Sequence, residues 1–295
     1  AGSDGALHSV SADQESFFQS GRDEGKCLTV EKKERAESWK MQSVVKAFGL
    51  LKLFTGKNPE WTFNQLLQEK QCPKSTLSNM LRTLEFCGVL EKEKTSQLYR
   101  LGLDVLEMGY GVRKALPIIE YAMKFLDDVQ QKTGGIVYFT IPKDGRVLYL
   151  DASYPANKNV TYSITGKTLD MHCTGVGKAM MSKMSDEQIR RIVAERGMKQ
   201  YTPRTITDFD ALMEEIEMTR ARGYALDFGE ESQGVKCVAV PVVSGRMLLG
   251  AISISGSIIS LKEEQYEEYA EMLFEIANIL ADKADMFPRP FLCGV

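Results

Sequence analysis

At 295 residues the chain exceeds the usual size of one domain, and its 43% hydrophobic and 26% charged residues are the composition of a soluble globular protein able to bury more than one core. No stretch approaches roughly 20 consecutive apolar residues, and no basic segment followed by an apolar one stands near the start. Neither a membrane-spanning helix nor a secretory signal is therefore expected, and the expected location is cytoplasmic. Cys27, Cys72, Cys87, Cys173, Cys237 and Cys293 have no paired C-x-x-C spacing, which argues against a disulfide framework and a zinc finger and reads as free thiols. The net charge of −3 hides an asymmetry: residues 39–100 hold ten Lys/Arg against five Glu, a net of +5, so the remainder carries −8. A small basic segment on an acidic body is what phosphate attraction confined to one module would produce.

Residues 1–38 are polar, Gly/Ser/acid-rich and without periodicity, and read as a disordered extension. From Met41 to Phe54 the apolar positions Val44, Val45, Phe48, Leu51 and Leu53/Phe54 recur at helical spacing and predict an amphipathic first helix ending near Gly56. Thr62 is placed to cap a second helix, FNQLLQEK, which stops at the Gln71-Cys72-Pro73 break. Pro73 suits the first turn of a third helix, whose Leu77, Met80, Leu81 and Leu84 form one apolar face, and Trp61 reads as a core plug. Gly88 ends that helix, and VLEKEKTSQLYRLG alternates around a polar turn as a β-hairpin wing would. Residues 39–100 are thus expected to form a winged helix-turn-helix, and 101–116 a connecting helix weakened by its glycines.

Residues 117–286 change character. A helix from Pro117 to about Lys132 precedes three β-rich runs, IVYFTI, RVLYLDAS and VTYSI. Helices fit 175–183, 186–196 and 208–222. Strands return at YALDF, KCVAVPVV and LLGAISIS before a final helix over about 261–284. The order fits an α+β sensor domain with an antiparallel sheet.

In a helix-turn-helix the second helix presents short polar side chains to base edges while cations hold phosphates. Lys74, Ser75 and Thr76 occupy the first turn of that helix, with Ser78, Asn79 and Arg82 beyond, and Lys92 and Lys94 lie in the wing; these are the candidate DNA contacts. In the larger domain the segment Gly166–Ala179 ends a strand and enters a helix, so the amides around Thr174, Gly175 and Val176 are expected to face a cavity and favour a carboxylate. Asp227 falls at a strand end, Cys237 on the next strand, and Ser253 and Ser255 share one face of the strand after that. Two hydroxyls, a thiol, an acid and an anion nest would suit a small polar acid, and small sheet-packing residues would give the same pattern. Tyr138, Tyr149, Tyr162 and Met171 read equally as pocket walls or core.

Four blocks, the P-K-S-T helix, L-x-M-H-C-T-x-x-G-K-A, G-Y-A-x-D-x-x-E-E with G-V-x-C-V-A-x-P-V, and A-I-S-I-S-G, resemble the IclR family of bacterial transcription regulators over roughly residues 40–284. The resemblance implies a winged helix-turn-helix, a dimerising linker helix and a GAF/PAS-like effector domain. It also implies a homodimer or homotetramer on a double-stranded DNA operator, and effectors such as glyoxylate, pyruvate, sugar acids or aromatic acids. The family's effector site maps onto the Gly175-Val176 backbone, Asp227, Cys237, Ser253 and Ser255. Asn79 stands where relatives often carry Arg, so operator preference need not follow theirs. No cofactor, catalytic residue, metal or membrane partner is expected. Two rivals are weighed. One is a hydrolase using Cys237 or Cys173, opposed by the reasoning that His172 and Cys173 alternate across a strand. The other is a zinc sensor with His172, Cys173, Asp227 and Cys237 as ligands, opposed by the lack of a short two-ligand loop.

Overall fold

A computed structural model describes residues 39–156 and 164–287; the expected extension 1–38, and most of VTYSI with Tyr162, lie outside the described residues. The chain divides between residues 108 and 109 into two compact units.

The first unit runs α1 (Gln42–Leu51), β1 (Glu60–Trp61), α2 (Phe63–Lys70), α3 (Lys74–Phe86), β2 (Leu90–Lys92) and β3 (Tyr99–Leu101). Thr62 and Gln65 cap α2 reciprocally, the Thr62 hydroxyl accepting from the Gln65 amide while the Gln65 side chain accepts from the Thr62 amide. Pro73 stands at the N-cap of α3, just ahead of Lys74, because a residue without an N–H forfeits nothing there. The apolar face of α3 is as expected: Leu77, Leu81 and Leu84 are buried with Leu50, Phe54, Leu66, Leu90 and Tyr99 in one core. Trp61 packs half-buried on that core and donates its indole N–H to the carbonyls of Leu53 and Asn58. β2 and β3 pair antiparallel as the wing, and β1 adds to it, Trp61 opposite Tyr99.

The apolar stripe of α1 is covered only in part: Leu50 is buried and Ala47 and Leu51 pack half-buried on the core, whereas Val44, Val45 and Phe48 are 45%, 51% and 62% exposed. The helix α4 (Leu103–Lys114), which spans the division between the units, buries none of its residues, and Leu103 and Leu106 are exposed.

The second unit continues with α5 (Pro117–Thr133), β4 (Ile136–Lys143), β5 (Arg146–Ser153), β6 (Thr168–Asp170), α6 (Gly175–Met181), α7 (Asp186–Arg196), α8 (Phe209–Arg222), β7 (Ala225–Asp227), β8 (Val235–Ser244), β9 (Met247–Ser257) and α9 (Tyr266–Ala281). The six strands lie in the order β6-β5-β4-β9-β8-β7, every neighbouring pair antiparallel. Period-two alternation divides their side chains between two cores. Val137, Phe139, Val238, Val240, Ile252 and Ile254 pack against α5 and α9. Tyr138, Ala225, Ala239 and Ala251 face the opposite side, with Val176, Ala179 and Met180 of α6 and Leu212 and Ile216 of α8. The small residues on that side let α6 approach the sheet closely. Among the described residues no helix is long and apolar enough to cross a membrane.

Candidate functional site

The basic unit presents its candidate DNA contacts together. Lys74, Ser75, Thr76, Asn79 and Arg82 are exposed on α3, Ser78 is half-buried, and Lys92 and Lys94 are exposed in the wing. Lys92 stacks its ammonium 5.2 Å from the Tyr99 ring centre. Arg100 is occupied by an ion pair with Glu91 at 3.1 Å, whereas Lys74, Arg82 and Lys94 pair with no carboxylate among the described residues. Cations free of carboxylates beside short hydroxyl and amide side chains at a helix start are what a phosphate-and-base contact needs.

In the larger unit the sheet register brings the other candidates into two adjacent rows. Tyr138, Ser253, Ala239 and Ala225 are successive partners across β4, β9, β8 and β7, and one step along stand Ile136, Ser255, Cys237 and Asp227. All face α6, and Ser253, Ser255, Cys237 and Asp227 are each at least nine-tenths buried. Gly175 lies directly over this row. A Cβ built on it would overlap the Cys237 sulfur and stand 3.6 Å from the Asp227 Cβ, so only glycine lets the helix start sit there. Tyr138 and Tyr149, edge to face with centroids 5.3 Å apart, and Met171 are buried on the same side.

The anion nest is narrower than the sequence led us to expect. Thr174 spends its hydroxyl capping the Gly177 amide and donating to the Asp170 carbonyl, and its own amide faces the Met171 carbonyl at 3.5 Å. The Val176 amide is left without an intrahelical acceptor. With seven residues α6 is too short for a large macrodipole, so any attraction for an anion comes from local donors.

Asp227 is held as an acceptor. Its Oδ1 takes hydrogen bonds from the amides of Gly229 and Glu230, both at 2.9 Å. Burial raises its pKa to about 7, the Glu230 charge adds to the rise, and Lys178 and the two amides oppose it. Sequence reasoning missed Lys178 and Glu230. Lys178 is 1% exposed, its ammonium 2.5 Å from Glu230 Oε1 and 3.7 Å from Glu215 Oε1, and Glu215 is also paired with Arg222 at 2.8 Å. The available signal was a lysine inside the otherwise apolar run GVGKAMM. Glu230 Oε2 is buried and has no hydrogen-bond partner among the described residues.

The reason given for separating His172 from Cys173 is corrected. Met171–Cys173 form a 3₁₀ turn and not a strand, His172 Nε2 lies 3.1 Å from the Lys199 carbonyl, and the Cys173 thiol points at the Asp170 carbonyl. Burial, reinforced by Asp170 for Cys173 and by Asp227 for Cys237, pushes both thiols far above the ordinary range. A thiol held protonated is in the wrong state for a nucleophile. Among the described residues no three His, Cys, Asp or Glu side chains converge to hold a metal ion, so the zinc alternative gains no ligand set. Cys72, Cys87, Cys173 and Cys237 are free thiols.

Comparison with known proteins matches both units in order. Residues 43–94 fit the IclR helix-turn-helix domain, and residues 111–281 fit the C-terminal domain of the bacterial transcriptional regulator IclR. The chain is 28% identical over 249 residues to the HTH-type transcriptional regulator XynR of Escherichia coli strain K12, covering 84% of this chain and 98% of that protein. It is 26% identical to the HTH-type regulator KdgR of Dickeya chrysanthemi, covering 85% and 82%. Among solved structures, the IclR transcriptional regulator of Alicyclobacillus acidocaldarius superposes with a TM-score of 0.74 at 25% identity, covering 83% of this chain and all of that one. An IclR homologue of Microbacterium hydrocarbonoxydans, complexed with 4-hydroxybenzoate, shares the fold at a TM-score of 0.70 and 19% identity, covering 82% and 99%. A basic helix-turn-helix followed by a six-stranded sheet under a close-packed glycine helix, matched along nearly the whole length of its relatives, makes this chain a member of the IclR family of bacterial transcriptional regulators.

Proposed function

We propose that this regulator is a cytoplasmic sensor of a small organic acid, without enzymatic activity of its own. The effector's carboxylate meets the Val176 amide at the start of α6, beside Gly175 and Thr174, its polar substituent meets Asp227, and Cys237, Ser253 and Ser255 line the seat. The observation that carries this reading is the register that puts Asp227, Cys237 and Ser255 in one buried row beneath Gly175. Such a cluster of polar groups in an otherwise apolar face is costly unless something uses it. Asp227 Oδ1 is saturated by two amides, which leaves Oδ2 to accept from a hydroxyl or hydrate on the ligand. The ligand of the Microbacterium homologue, an aromatic acid, is of the same chemical class.

DNA is bound through Lys74, Ser75, Thr76, Ser78, Asn79 and Arg82 of α3 with Lys92 and Lys94 of the wing. The exposed apolar positions of α1 and α4 support self-association, and a dimer or tetramer would read a pseudo-palindromic operator. Residues 39–100 serve as the reading head, 101–116 as the connection and 117–286 as the sensor. Effector and operator are coupled only as far as the acid prefers one conformer over another. A thermal-shift screen of metabolite acids tests the reading: an acid that raises the melting temperature of wild type but not of Asp227→Ala supports it. An acid that stabilises both equally refutes the assigned seat.

A further inference from the structure

The residues that line the seat are linked, one step deeper, by a contact that the effector reading does not use. Lys178 follows Gly175 by three positions, so the two share a face of α6. Glu230 follows Asp227 by three positions, and its amide is one of the two that hold Asp227 Oδ1. Gly175 packs closely onto Cys237 and Asp227, and Lys178 meets Glu230 at 2.5 Å three positions further along both segments. The loop bearing Glu230 is fixed from its other side. Thr202 Oγ1 donates to the Gly229 carbonyl at 2.7 Å and Thr205 Oγ1 to the Glu230 carbonyl at 2.6 Å.

A fully buried ion pair is a poor way to gain stability, since apolar residues of similar volume often do as well or better. Here the desolvation cost is increased, because Glu230 Oε2 has no hydrogen-bond partner among the described residues. What the pair does supply is a fixed length: a short charged contact between the helix carrying the Val176 amide and the loop carrying Asp227.

We propose that Lys178 and Glu230 are positioning residues of the effector seat, a tie that holds the start of α6 in place against the row bearing Asp227 and thereby selects the length of the acid that fits beside it. This rests on the effector reading above. Neither residue need touch the ligand; each acts through the main chain it anchors.

The test uses the full chain and calorimetric titration with glyoxylate, pyruvate, 2-oxobutanoate and 2-oxopentanoate. In wild type one methylene should change affinity by about tenfold or more, the usual worth of a methylene in a shaped pocket. The double variant Lys178→Met/Glu230→Met replaces the pair by apolar side chains. It should melt within a few degrees of wild type while its spread across the series falls below about threefold. Glu230→Asp keeps the charge and shortens the arm by one methylene, and it should move the preferred acid to a shorter one. A merely structural pair would alter melting or weaken all acids alike, leaving their order untouched. Wild-type spread in a well-folded double variant together with an unchanged order in Glu230→Asp overturns the tie. If Asp227→Ala binds the series as wild type does, the effector reading itself is overturned and the tie falls with it, whereas wild type that binds none of the four acids overturns the tie alone.

Discussion

Replacing Asp227 by Asn should change how stability depends on pH, and the direction follows from the burial of the carboxyl. The Asn carbonyl can accept the same two amide hydrogen bonds that Oδ1 accepts, so the fold is kept while the titration is removed. In wild type a carboxyl whose folded pKa stands at about 7 stays protonated in the fold over a range where the unfolded chain, near 4, has already ionised. Its contribution therefore becomes less favourable as pH rises from about 4, and levels off above about 7. Three pK units at about 1.36 kcal/mol each give an upper bound of about 4 kcal/mol, part of which belongs to Glu230 because the two carboxyls interact. For a unit of this size that upper bound is roughly 8–16 °C in melting temperature. Scanning calorimetry from pH 4 to pH 8.5 follows the C-terminal transition, and tryptophan fluorescence tracks the other unit separately, since both tryptophans, Trp39 and Trp61, lie before residue 108. The Asn variant should gain on wild type steadily between pH 4 and pH 7 and hold that gain above. A constant offset at every pH would refute the reasoning, because the Asn amide's own cost does not titrate.

Three further outcomes are expected. Lys74→Ala should weaken operator binding and lower the slope of log affinity against log salt by about 0.9, the share of one phosphate contact, read by fluorescence anisotropy across a salt series. Gly175→Ala drives a methyl into the Cys237 sulfur, so it should cost about 1–3 kcal/mol and abolish acid binding; the double variant with Cys237→Ala should recover most of the stability in thermal melts. Thr62→Ala removes one half of the α2 capping box and should lower the tryptophan-detected stability of the N-terminal unit by about 1 kcal/mol, leaving the calorimetric transition of the other unit in place.

What was legible in the sequence was whatever repeats with the period of its element. Leu77, Leu81 and Leu84 declare the face of α3 at helical spacing, Thr62 declares the start of α2, and Ser253 with Ser255 declare a shared face of β9. Periodicity reveals a stripe without saying what covers it: Val44, Val45 and Phe48 recur at helical spacing, yet their own unit leaves them exposed. β1 and β6, at two and three residues, are too short for alternation to register. The Lys178–Glu230 pair joins positions 52 apart, and only the β7–β8–β9 register and the close seat of α6 bring them together. The narrowing of the anion nest was likewise invisible, because it depends on where the Thr174 hydroxyl and amide spend their bonds.

The most direct measurement titrates a labelled promoter fragment from beside the protein's own gene with the full chain, across a salt series, with and without the acid that most raises its melting temperature. The expected result is salt-dependent binding whose midpoint moves by a constant factor when the acid is added, with Asp227→Ala keeping the salt slope and losing the shift. Binding indifferent to salt, or a shift of full size in Asp227→Ala, would contradict a regulator that reads DNA with one unit and an acid with the other.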